Sequence, residues 1–215
     1  MTAHIIHNIA RADRLANITK QADEQGFEFE IHAATIDEDN PVRGCHLSHR
    51  KIVQMAKDEG LPYVWLMEDD CVFTAPGAAD WFVNEKPYPC ARTSVHTGGV
   101  YGTHKVYFKG SCWWLLHSMS GTHCYIVYQN FYDTFLNMDE NEHLDVAISK
   151  ETEKLNALIP QGTASAPDSN KFHLTMPAKM IALQMPGYSD ILKKDTDYNN
   201  DRYLWQYELW KGEDV

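Results

Sequence analysis

The chain has 215 residues, 44% of them hydrophobic and 12% aromatic, and a formal net charge of −11. That length and composition allow a sizeable core within one domain. The acidic balance argues against tight nonspecific binding to nucleic acid, although a local basic groove is compatible with it.

No apolar run reaches membrane-spanning length and the N-terminus lacks a signal-peptide pattern. The five cysteines (Cys45, Cys71, Cys90, Cys112 and Cys124) are odd in number and lack close metal-type spacing. They read mostly as buried free thiols in a reducing compartment. A soluble cytoplasmic protein is the expectation.

The first strand is expected over 4–9, bulky and apolar before a polar turn. A helix follows over 11–25, with Leu15, Ile18 and Ala22 on one face and Gly26 as its stop. Residues 27–33 alternate Phe27, Phe29 and Ile31 with Glu28, Glu30 and His32, which predicts a second strand. After a polar loop containing Asn40-Pro41, a second helix is expected over 45–59, with Gly60 closing it. Residues 61–67 read as a third strand. The order strand, helix, strand, helix, strand predicts an α/β sheet with parallel strands.

The second half is less regular. A short helix is expected over 79–82, a strand or loop over 97–107 and a strand over 123–128. Helical segments are expected over 129–136 and from 143 onward, and a polar loop over 163–170. No repeat or linker divides the chain, so residues 1–215 read as one domain.

The third strand runs into Glu68-Asp69-Asp70. Each carboxylate would cost several kcal/mol to bury unpaired. Either the strand stops at Met67 and the acids form a solvated, capping turn, or they attend a hard cation such as Mg²⁺ or Mn²⁺ that holds a diphosphate. In a parallel α/β sheet the ligand site lies beyond the carboxyl ends of the strands, which is where these acids fall.

Joined to its neighbours, this stretch resembles glycosyltransferase family 25, which includes lipooligosaccharide and collagen hydroxylysine galactosyltransferases. The resemblance runs through Gly44-Cys45-His46-Leu47-Ser48-His49, then a helix, then an apolar strand ending in Glu68-Asp69-Asp70. The opening around His7-Asn8 with Arg11 and Arg14, the segment Gly121-Thr122-His123-Cys124-Tyr125, His143-Leu144-Asp145, and Gln184 with Ser189-Asp190-Ile191 are also similar, in the family's order.

The resemblance implies a GT-A-like nucleotide-sugar-binding fold with a mixed, mainly parallel central sheet flanked by helices. Residues 1–75 would form the nucleotide-sugar half and 76–215 the acceptor-side half. It also implies an inverting hexosyltransferase that uses a UDP-sugar, galactose foremost, with Mn²⁺ or Mg²⁺. Asp70 and Glu68 are the expected metal ligands and Asp145 the general base. Asn8, Arg11, Arg14, Ala34, Thr35, Ser48, His49, Glu68, Asp69 and Gln184 are expected to bind donor.

Trp113 and Trp114 lie in the segment 87–116, which the resemblance does not cover. Their faces suit sugar C–H groups, so they are expected to meet acceptor; they suit a core equally. Bland alternatives stand beside other residues too. Arg14 suits a solvated helix start, His49 a satisfied core histidine, Gln184 a structural amide and Asp145 a solvated acid near a helix start.

A surface glycan, as in lipopolysaccharide biosynthesis, is the expected acceptor. A hydroxylated protein side chain or nucleobase is the alternative within the same chemistry, and the net charge disfavours the nucleobase. A metal-dependent phosphotransferase or nuclease, and a non-catalytic sugar-nucleotide-binding module, are the readings from other classes.

Overall fold

The computed structural model describes residues 1–84, 93–102, 104, 106–109, 113–157, 173–198 and 208–212. Cys90, Cys112 and the loop expected over 163–170 lie outside them, as does part of the segment 87–116. No helix among the described residues is long and apolar enough to cross a membrane.

The chain opens with β1 (Ala3–His7), α1 (Ala12–Gln25), β2 (Phe29–Ala33), α2 (Pro41–Asp58) and β3 (Tyr63–Glu68). β1 pairs in parallel with both β2 and β3. This is the expected strand and helix order, with shifted boundaries. β1 stops at His7 because Ile9 is in solvent, 79% exposed.

α2 starts four residues early. Pro41 takes a first-turn position, where its missing N–H costs nothing. Asn40 caps the turn through its side-chain oxygen, which accepts from the Arg43 amide at 3.2 Å, a contact worth about 1 kcal/mol. α1 ends at Gly26 with φ 71°, the left-handed cap that glycine supplies without strain.

Beyond these come β4 (Cys71–Phe73), α3 (Ala78–Asn84), β5 (Thr93–Thr97), β6 (Val106–Lys109), β7 (Trp113–Leu116), β8 (Cys124–Tyr128), α4 (Tyr132–Leu136) and α5 (Leu144–Ala157). Then follow β9 (His173–Pro177), β10 (Lys179–Met180), β11 (Ala182–Gln184), β12 (Gly187–Ser189), β13 (Lys194–Thr196) and β14 (Glu208–Leu209). Eight strands make one sheet in the order β2-β1-β3-β8-β5-β9-β7-β6. By their pairings, β1, β2, β3, β5, β6 and β9 run one way, and β7 and β8 run against them. The sheet is mixed, as expected, with six of its eight strands pointing one way, although three of its seven pairings are parallel and four antiparallel.

Successive residues of β3 feed two cores. Val64 and Leu66 pack with Ile52, Val53 and Ala56 of α2 and with Phe135 and Ile148 of α4 and α5. Trp65 and Met67 pack on the other face with Ile18 of α1 and Phe82 of α3. A strand covered by helices on both faces must be apolar throughout, which explains the unbroken run before the acids. Truncating Leu66, fully buried, would cost about 2–5 kcal/mol. Cys71 and Cys124 are buried free thiols; Cys45 is a free thiol with partial exposure.

Candidate functional site

The acids sit where β3 ends. The strand carries one residue further than expected, so Glu68 is its last residue and Asp69 and Asp70 form the turn into β4. The three carboxylates then part ways.

Asp69 turns into the fold and is 3% exposed. It accepts from His7 Nδ1 at 2.7 Å, the Asn8 amide at 3.2 Å and Arg14 Nη1 at 3.2 Å. It thereby fixes the end of β1 and the start of α1.

Asp70 is 1% exposed. Its Oδ2 receives Gln184 Nε2 at 2.9 Å and Arg14 Nη1 at 3.1 Å, while Oδ1 is buried with no hydrogen-bond partner among the described residues. Burial and the neighbouring Glu68 carboxylate push the Asp70 carboxyl up to about 7, against the opposing pull of Arg14.

Glu68 goes the other way. Burial would raise it, but His49 and the Thr122 hydroxyl hold it down to about 2. Thr122 Oγ1 donates to Glu68 Oε1 at 2.5 Å, and His49 Nε2 lies 3.4 Å from the same oxygen. Two adjacent carboxyls thus have their affinities for protons driven apart, a pattern associated with divided roles.

The segment 44–49 has a geometric reason for each key residue. Gly44 lies where α2 passes the end of β2: a Cβ there would stand 2.7 Å from the Thr35 carbonyl oxygen and 3.0 Å from the Asp37 nitrogen. Ser48 clasps the same junction, accepting from the Thr35 amide at 2.8 Å and donating to the Gly44 carbonyl at 2.8 Å. His49 shares a 2.7 Å hydrogen bond with the Tyr125 hydroxyl through Nδ1 and presents Nε2 to Glu68. Cys45, one turn before His49, faces the cleft. Burial and the Glu68, Asp145 and Asp70 carboxylates keep its thiol well above the ordinary range, so it is not an activated thiolate.

The cleft has two lobes. The first, of about 200 Å³, includes Asn8, Arg14, Ala34, Thr35, Ser48, His49, Glu68, Asp69, Asp70, Gln184 and Lys193 in its lining. The second, of about 360 Å³, includes Tyr101, Gly121, Thr122, His143, Asp145 and Tyr198. Cys45, Glu68, Gln184, Ser189 and Ile191 line both.

Of the residues expected to meet donor, nine line the first lobe. Arg11 does not; it chelates Asp13 at 2.9 Å and reaches the Tyr188 carbonyl at 3.3 Å. Asp145 lines the second lobe with both oxygens engaged: Oδ2 accepts from the Gly121 amide at 2.9 Å and Oδ1 from the Val146 amide at 2.8 Å. Gly121, at φ 86°, carries the left-handed turn that brings Thr122 to Glu68. Trp113 and Trp114 stand on β7 between β6 and β9 and line neither lobe. The aromatic side chains lining the second lobe are Tyr101 and Tyr198, stacked at 5.0 Å.

The sequence reading missed Cys45, Thr122, Lys193 and Tyr198 as lining residues. Cys45 and Thr122 carried a signal, since each sits inside a segment already singled out. Lys193 and Tyr198 come from the turn and hairpin end after Ser189-Asp190-Ile191, where no local pattern marks a site.

Within the cleft, two donor sets could hold a cation. Asp70 Oδ1, buried without a partner, together with Glu68 offers hard oxygens of the kind Mg²⁺ and Mn²⁺ take, one or two carboxylates to be completed by phosphate and water. The acid triplet alone does not close into a three-ligand cage among the described residues. Cys45, His49 and Glu68 do bring ligand atoms within 4.8 Å of one another, a softer set.

The sequence matches no protein-family model and no curated protein. Among solved structures, the chain is similar to a glycosyltransferase involved in glycosylation of the major capsid of PBCV-1, at 14% identity and a TM-score of 0.39, over 62% of each chain. It is also similar to apo UDP-glucose pyrophosphorylase, at 8% identity and a TM-score of 0.39, over 78% of this chain and 61% of that one. The chain thus spans about three-fifths of the length of either structure.

Proposed function

We propose that the chain is a metal-dependent inverting glycosyltransferase that moves a hexose, galactose foremost, from a UDP-sugar to a hydroxyl of a surface glycan. The observation that carries the reading is the two-lobed cleft. One lobe lies beyond the carboxyl ends of β1, β2 and β3 and is lined by charged groups, and the other is lined by a carboxylate and tyrosines. They meet at Glu68 and Gln184. A transferase needs such an arrangement, with two substrates on opposite sides of one reacting carbon.

In this reading the uridine lies against Ala34 and Thr35, and Arg14 and Lys193 supply positive charge for the diphosphate. Asp70 and Glu68 would hold Mn²⁺ or Mg²⁺, which when bound offsets negative charge on the leaving diphosphate. The acceptor hydroxyl attacks the anomeric carbon from the second lobe, its proton passes to Asp145, and the bond to the diphosphate breaks with that electron pair leaving on UDP. Each oxygen of Asp145 keeps a second lone pair beside the backbone amide it already accepts, so the contacts hold the carboxylate in place and leave a site for the acceptor proton.

The test is a panel of UDP-sugars with and without Mn²⁺, read as thermal stabilisation and as release of UDP. A donor that binds the folded state must raise its stability. Metal-dependent turnover of one UDP-sugar supports the reading. Phosphodiester cleavage in place of sugar transfer, or donor binding with no turnover against any hydroxyl acceptor, would replace it with a nuclease or a binding module.

A further inference from the structure

Outside the cleft, one cluster of ligand-type side chains has no part in the reading above. His4 and Glu30 are register partners across β1 and β2, and His32 lies two residues beyond Glu30 on the same face. His4 Nδ1 stands 3.0 Å from His32 Nε2 and 3.8 Å from Glu30 Oε2, and His32 Nε2 stands 3.8 Å from Glu30 Oε1. None of the three lines either lobe.

We infer that His4, Glu30 and His32 form a divalent transition-metal site, of the kind that takes Zn²⁺, which clips the outer strand β2 to β1. Tetrahedral zinc with bonds of about 2.0–2.1 Å places its ligand atoms roughly 3.3 Å apart. The two ring nitrogens stand a little inside that spacing and each stands a little outside it from one oxygen of Glu30, with one ligand atom from each residue within 4.8 Å of the others, so a shift of a few tenths of an ångström to about an ångström closes the site. Two imidazoles and one carboxylate are a common zinc donor set, leaving the fourth position for water. The side chains grade outward, with His4 12% exposed, His32 23% and Glu30 59%, which gives the ion an entry path.

The surroundings favour a cation. Glu59, just past the C-terminus of α2, acts on His4 together with Glu30. β2 leads directly into Ala34 and Thr35 of the cleft, and a clip on β2 would steady that wall.

The alternative is a plain Nδ1–H···Nε2 hydrogen bond between the two rings with no ion. Titration of the intact chain with zinc chloride by calorimetry separates the two. We expect one Zn²⁺ per chain, weakened by roughly 10–100-fold or more in His32→Gln and in Glu30→Gln, the scale seen even for outer-shell metal partners, and unchanged in Cys45→Ser. Melting without metal checks that the variants fold.

Co²⁺ added to the unaltered chain gives a second readout that does not depend on any variant. The site requires tetrahedral visible bands without a sulfur-to-metal charge-transfer band. A charge-transfer band would assign the ion to Cys45, His49 and Glu68 and overturn the proposal. So would zinc binding unaffected by His32→Gln, or no binding below millimolar zinc.

Discussion

Asp70→Asn tests the electrostatics of the acidic turn directly. The wild-type carboxyl is buried beside an ionised Glu68 and is pushed from 3.8 up to about 7. Between those values the folded chain holds a proton that the unfolded chain has released, so stability falls as pH rises from about 4 to about 7 and levels above that. The gap converts to roughly 4 kcal/mol at most.

The Asn amide keeps the shape and an acceptor for Gln184, and Arg14 keeps Asp69 as a partner. After allowing for the lost Arg14 contact, the variant should be more stable than wild type at pH 8 without metal, by on the order of 1–3 kcal/mol. Glu68 does not confuse the window. It is held down to about 2, so its contribution is present above about 4.5 and fades only below that.

The assay is urea unfolding from pH 4.5 to 8.5, with and without Mn²⁺. Wild type should lose stability across the window and regain it with Mn²⁺ at pH 8, while the variant should show neither the slope nor the rescue. Asp70→Asn should also lose metal-dependent donor binding and turnover. A variant less stable than wild type at pH 8 without metal, or one that Mn²⁺ stabilises as fully as wild type, would refute the assignment.

Asp145→Asn should keep donor binding and depress sugar transfer by roughly 100-fold or more, measured at saturating donor beside Glu142→Gln, whose side chain pairs with Lys150 and lines neither lobe. Gly44→Ala places a methyl 2.7 Å from the Thr35 carbonyl oxygen; it should cost about 1–3 kcal/mol in a denaturant melt and weaken UDP binding, and an unchanged melt would mean that α2 shifts freely. Trp113→Ala, away from both lobes, should alter stability with the acceptor KM unchanged; a selective rise in that KM would bring β7 into the acceptor site.

How much of this was legible in the sequence differs between the strands and the cleft. β3 announced itself because a strand buried on both faces is apolar without a break, here from Tyr63 to Met67, and the acids after it marked the carboxyl end of the parallel β2-β1-β3 part of the sheet. Local chemistry also set the caps, although Asn40-Pro41 was read as part of a loop when it opens α2. What stayed hidden was nonlocal. β8 runs antiparallel between β3 and β5, and nothing in the segment 124–128 shows its direction. The same limit applies to Asp69 and Asp70. Neighbours in the chain and equal in composition, they share Arg14 but differ because His7 and the Asn8 amide reach one while Gln184, more than a hundred residues away, reaches the other. Alternation along the strand separated Asp69 from its neighbours, but the partners that hold each carboxyl come from α1, β1, α2 and β11. Glu68 owes its low proton affinity to His49 on α2, a residue whose position on an apolar helix face made a core role as plausible as a cleft role. It fills both: Nδ1 is bonded within the core to Tyr125, and Nε2 faces the carboxylate where the two lobes meet.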